Sequence, residues 1–98
     1  MAKYIEFPVL MDGIEVLQIF NTNNISIVNI NNSKQFSIYC GLIKYTYTSY
    51  NKPADIEQNP HLWVETINKA ILTVSGPTLV SVVIPEGYVL INPSIQQI

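Results

Sequence analysis

Cys40 and His61 are the side chains best suited to covalent or metal chemistry, and the chain has one of each. A single cysteine forms no internal disulfide, and one thiol with one imidazole is too small a ligand set for structural zinc. Cys40 alternates in phase with Phe36 and Ile38, which makes it a small apolar residue of a strand's buried face rather than a nucleophile. His61 falls in the first turn of a predicted helix, with no Ser, Cys or carboxylate at a recurring catalytic spacing, so it reads as a surface or capping residue. Asp55 and Glu57 stand two apart, and Asp12 and Glu15 three apart. Acid–base pairs need burial or a fixed opposing geometry, which turns and helix entries do not supply. Gly13, Gly41, Gly76 and Gly87 each sit at a predicted turn or cap and never cluster, so no phosphate-binding loop is expected. These residues predict no enzyme, no cofactor and no metal.

Tyr39, Tyr45, Tyr47 and Tyr50 are the remaining concentration of chemistry. Tyrosine supplies contact area with a polar tip at low entropic cost, which suits an interface. A cross-strand aromatic ladder explains the same spacing equally well. Trp63 belongs to a helical stripe and reads as the centre of the core.

The elements that must hold these residues follow from the pattern. Of 98 residues 48% are hydrophobic and 12% charged, against about 25% charged in an ordinary domain. The surface must therefore be unusually neutral, and the length allows one domain over residues 1–98 with one core. Apolar strand residues separated by Asn and Gly clusters predict strands near 3–10, 14–20, 25–30, 34–40 and 42–50. Pro8, with no N–H to give, predicts an edge or an end of pairing. Asp12-Gly13 predicts a type I′ hairpin, and Asn31-Asn32-Ser33 a turn. Gly41 marks a bend or bulge, so the fourth and fifth strands can be one long bent strand.

Asn59-Pro60 is an N-cap residue followed by proline at the first helical position. Trp63, Ile67, Ala70, Ile71 and Val74 then recur at helical spacing, predicting an amphipathic helix over 60–74 that Ser75-Gly76-Pro77 stops. Short strands near 79–84 and 88–92 follow, and residues 93–98, with a second proline, predict an extended arm carrying Ile95 and Ile98. The fold class expected is α+β: an antiparallel sheet, or a partly closed barrel or sandwich, of about five to seven strands with one helix packed on it. Residues 14–20 and 79–84 are apolar on both faces, so either the sheet curls into a closed core or its second face meets another chain.

The function classes narrow accordingly. The net charge is −2, there is no arginine, and the five lysines are scattered, so no basic patch for nucleic acid exists. Mean hydropathy is +0.23, yet no window approaches the roughly 18 apolar residues of a membrane-spanning helix. Glu6 and Pro8 interrupt any secretory h-region, so the chain reads as made in a cytoplasm.

The opening Met1-Ala2-Lys3-Tyr4-Ile5-Glu6-Phe7, the Asn-rich strands, the helix segment Val64-Glu65-Thr66-Ile67-Asn68-Lys69-Ala70-Ile71 and the closing apolar strand resemble small proteins encoded among the virion genes of tailed bacteriophages. The resemblance spans most of the chain in element order, through short motifs, and departs from it at the Tyr-rich strand and the terminal arm. It implies a non-enzymatic capsid auxiliary or decoration protein, located in the virion, that binds and reinforces the lattice of major capsid subunits. Major capsid protein or other virion subunits would be its partners, and a homo-oligomer its state. The candidate interface comprises Tyr39, Tyr45, Tyr47, Tyr50, Ile95 and Ile98. The alternative is a soluble phage-encoded interaction module for a host protein or small ligand. An enzyme whose site forms only between subunits is the third class.

Overall fold

A computed structural model describes residues 3–73 and 78–98. The chain runs β1 (Tyr4–Met11), β2 (Ile14–Asn21), a 3-10 turn (Thr22–Asn24), β3 (Ile25–Ile30), β4 (Gln35–Cys40), β5 (Ile43–Asn51), β6 (Ile56–Glu57), α1 (Pro60–Leu72), β7 (Leu79–Ser81) and β8 (Tyr88–Gln97). The eight strands form one sheet of order β2-β1-β8-β5-β4-β3, with β6 beside β5 and β7 beside β1. The class is α+β, one helix on a sheet.

Asp12 and Gly13 close the β1–β2 hairpin with φ of 53° and 78°, the paired positive angles of a type I′ turn. Nothing lies within 4 Å of a Cβ built on Gly13, so Gly13→Ala meets only backbone strain. It is expected to cost about 1–2 kcal/mol, read as a lower urea midpoint. β4 and β5 are not one bent strand: Cys40 pairs with Ile43 across Gly41-Leu42, and Gly41 takes φ 58°. That is a second two-residue hairpin, and the glycine turns the chain rather than bulging it.

Proline misleads twice. Pro8 does not mark an edge, because β1 lies inside the sheet, antiparallel to β2 and parallel to both β7 and β8. Tyr4 N–H donates to Thr78 O at 2.7 Å, and Glu6 O accepts from Val82 N–H at 2.9 Å, so even-numbered β1 residues bond away from β2. Pro8 is the position in that series with no donor. It falls where β1 changes partner, from β7 at Tyr4–Glu6 to β8 at Leu10. Pro93, likewise, does not begin a free arm. Residues 94–97 pair with 43–46 of β5, and the extra β8 residue between Ile91 and Ser94 is absorbed in a bulge where Asn92 takes φ 50°. A bulge is where a strand tolerates a residue that cannot donate.

The sheet curls around its buried face. Ile5, Phe7 and Val9 of β1 meet Phe36 and Ile38 of β4, Tyr47 of β5 and Leu90 of β8, with Trp63, Ile67 and Ala70 of α1 on top. Phe7 is the hub, with ring centroids 5.9 Å from Phe20, 5.6 Å from Tyr47 and 6.4 Å from Trp63. Phe20 on one outer strand lies edge-on to Tyr45 at 4.9 Å although β1 and β8 intervene in the sheet, which measures the curvature.

α1 presents the predicted stripe, with Trp63, Ile67 and Ala70 buried and Ile71 half-buried; Val74 and Ser75-Gly76-Pro77 lie outside the described residues. The helix ends at Leu72, Thr73 being extended, and Glu65 and Lys69 pair at 3.2 Å on its solvent face. Asn59 holds the N-cap position but does not cap with its side chain. It takes φ 55° and sends its amide 2.8 Å to the Tyr88 hydroxyl, tying the helix entry to β8.

Candidate functional site

The four tyrosines do not form one surface. Tyr45 and Tyr47 point with Ile43 to the concave, core side of β5, and Tyr39 faces the other way from β4. Tyr47 is 0% exposed and packs against Phe36 at 5.5 Å and Phe7, which removes it from any interface. Tyr45 is half-buried against Phe20. Tyr39 lies under the Lys44 ammonium, 5.7 Å from the ring centroid, and the Tyr50 hydroxyl donates to the Asp55 carboxylate in the following turn. Alternation sends neighbouring odd and even strand positions to opposite faces, and the curl then buries one of those faces.

Around Tyr39 the convex face is a polar ladder rather than an apolar one. Asn31 Nδ2 donates to Ser37 Oγ at 2.7 Å, the Ser37 and Thr46 hydroxyls share a bond of 2.9 Å, and Gln35 Nε2 donates to Thr48 Oγ1 at 3.1 Å. These bonds spend the polar groups on one another and hold β3, β4 and β5 in register.

Ile95 and Ile98 are exposed, at 61% and 65%. They are not on a loose tail: Ile95 pairs with Tyr45, and Ile98 N–H donates to Leu42 O at 2.7 Å. Ile95, with exposed Leu42 and Ile43, frames a shallow depression floored by Cys40 at the end of the sheet, whereas Ile98 falls on the opposite face, beside Tyr39 and Lys44. Burial raises the Cys40 thiol's pKa, which keeps it protonated and poorly nucleophilic at neutral pH.

A second apolar surface escaped residue-by-residue reading. Along β2, Ile14, Val16, Leu17 and Ile19 are all exposed, on both faces of the strand. β2 ends the sheet, so its outer edge is unpaired among the described residues. The two-sided apolar run was the signal, but it does not say which side of the strand lacks a neighbour.

The other features are modest. His61 is exposed, and no cluster of three His, Cys, Asp or Glu among the described residues could hold a metal. A crevice of about 60 Å³ between β1, α1 and β8 is lined by Pro8, Val9, Trp63, Ile84, Tyr88 and Leu90. That crevice is smaller than pockets for drug-sized ligands, which are about 300–1,000 Å³, whereas the open depressions beside β2 and at the end of the sheet are of about 350 and 550 Å³. Among the described residues no helix is long and apolar enough to cross a membrane. Comparison with protein-family models, curated proteins and solved structures finds no match to this chain.

Proposed function

We propose that this chain is a non-enzymatic structural protein of a bacteriophage virion, an auxiliary subunit that binds the lattice of major capsid subunits and reinforces it. The observation that carries the reading is the apolar end of the sheet, where Leu42, Ile43 and Ile95 are exposed around one depression on paired backbone. Ordered apolar side chains lose little entropy on docking, and each contributes roughly 1 kcal/mol when covered. The scarcity of charge and the resemblance of the opening strand and helix to virion proteins point the same way. Pairing of a free terminal arm with neighbouring subunits is not part of this mechanism, because residues 94–97 already pair with β5.

The test is co-sedimentation with empty shells of the same virus's major capsid protein. Saturable binding and a higher shell melting temperature are expected. Leu42→Glu with Ile95→Glu should weaken binding at least tenfold while leaving the circular dichroism spectrum unchanged. Absence of binding at micromolar concentration would remove the capsid role.

A further inference from the structure

We propose that a second copy of this chain adds to the free edge of β2, joining two sheets into one across a two-fold axis at Gln18. This proposal uses a different surface from the capsid reading and does not depend on it.

The two outer strands are not alike. β3 is short, carries a register shift between Ile25 and Ile27, and exposes Ser26 and Asn29, all of which blunt an edge against pairing. β2 pairs with β1 without a break over eight residues and has one charge, Glu15. Its exposed Leu17 and Ile19 add apolar area to an edge that nothing blunts.

The hydrogen-bond phase of that edge is fixed. Met11 and Ile14 close a two-residue hairpin, so Ile14, Val16, Gln18 and Phe20 bond to β1. Thr22 N–H donating to Lys3 O at 3.0 Å continues the series. Glu15, Leu17 and Ile19 therefore aim their N–H and C=O groups outward, and Asn21 its N–H, its C=O being the first acceptor of the 3-10 turn that follows. A closed two-fold pair must join these residues to one another, which leaves few registers. Centred on Leu17, the pairing sets Glu15 against Ile19; centred on Val16, it sets Glu15 against Leu17; centred on Glu15, two carboxylates meet.

Centred on Gln18, Leu17 pairs with Ile19, Val16 with Phe20 and Glu15 with Asn21, each twice. Apolar meets apolar, and the carboxylate meets an amide. The Asn21 side-chain oxygen is already used, accepting from Asn23 N–H at 3.0 Å, so its amide hydrogens remain to meet Glu15. The register makes about six inter-chain backbone hydrogen bonds. A second copy offers this complement, because the pattern reads the same from both ends.

Light scattering across a dilution series should give twice the 11.0 kDa chain mass at high concentration. Ile19→Pro removes an outward N–H that β1 does not use, so it should fold and raise the dimer dissociation constant at least 100-fold. Register is tested independently in a Cys40→Ser background. Gln18→Cys places two thiols on a non-hydrogen-bonded pair with Cα atoms about 4.5 Å apart, which a disulfide spans. That variant should cross-link under mild oxidation, whereas Val16→Cys, two positions off the axis, should not. If Ile19→Pro fails to fold, the cysteine pair alone decides. A monomer at about 100 μM would overturn the proposal, as would a dimer indifferent to Ile19→Pro or one cross-linked through Val16→Cys rather than Gln18→Cys. A monomer whose β2 amides gain exchange protection only on adding capsid shells would also overturn it, assigning the edge to a foreign strand.

Discussion

Trp63→Ala is expected to remove about 3–5 kcal/mol of stability, a large share of the roughly 5–15 kcal/mol that holds such a domain folded. The side chain is 0% exposed and packs on Phe7, the ring that also meets Phe20 and Tyr47. The truncation enlarges the crevice of about 60 Å³ that Trp63 already lines. Collapse into the enlarged space is resisted by strand pairing, because β1 is held between β2 on one side and β7 and β8 on the other. Trp63 is the only tryptophan, so unfolding must be followed by circular dichroism rather than indole fluorescence. The urea midpoint should fall with the slope unchanged, and the melting temperature should drop by about 15 °C or more. A loss below 1 kcal/mol would mean that the helix is not the lid of this core.

Tyr47→Phe should act in the opposite direction. The Tyr47 hydroxyl is buried without a hydrogen-bond partner among the described residues, as is the Trp63 indole N–H. An unpaired buried hydroxyl costs about 1–3 kcal/mol, so deleting it while keeping the ring should stabilise the fold by about 1 kcal/mol, or roughly 5 °C. Burial, and then the nearby Tyr45 and Cys40 groups, push the Tyr47 pKa far above its ordinary value near 10. The phenol is therefore protonated in both states below pH 10. Above it the unfolded chain releases a proton that the folded chain keeps, so stability declines as pH rises. Cys40, raised by burial in the same sense, starts a smaller decline near pH 9. Tyr47→Phe should leave the Cys40 part and flatten the rest, which urea midpoints measured from pH 8 to 11 would read. An unchanged alkaline slope would mean that Tyr47 reaches water.

Local chemistry wrote much of this fold plainly. Asp12-Gly13 placed its hairpin, 25–30 was bounded as β3 is, and the stripe from Trp63 to Ile71 set the helix face. Non-local pairing was less visible. Pro8 and Pro93 each signal a missing donor, but whether that means an edge, a hand-over between partners or a bulge depends on strands 70 or more residues away, or on which neighbour takes up the slack. Tyr47 illustrates the same limit for the surface. Its alternation with Tyr45 was legible, but which face the curl would bury depended on Phe7 and Trp63, both remote in sequence. The two-residue β6 carries too few residues to show a period. For the β2 edge, the apolar character of both faces was readable, and its exposure required the strand order.

The pairing of β1 with β8 also sets when the protein can fold. Leu10 and Ile91 meet in neighbouring strands of the sheet, and eight residues of β5 pair with β8. During synthesis, the β1–β2 hairpin leaves the ribosome with its inner neighbour still untranslated, and it must wait until β8 has emerged. Loop closure over such separations slows folding into the millisecond-to-second range typical of non-local sheets. A nascent chain stalled before β8 has left the exit tunnel would show neither the Phe7 cluster nor a protease-resistant core, and would acquire both together once β8 emerges.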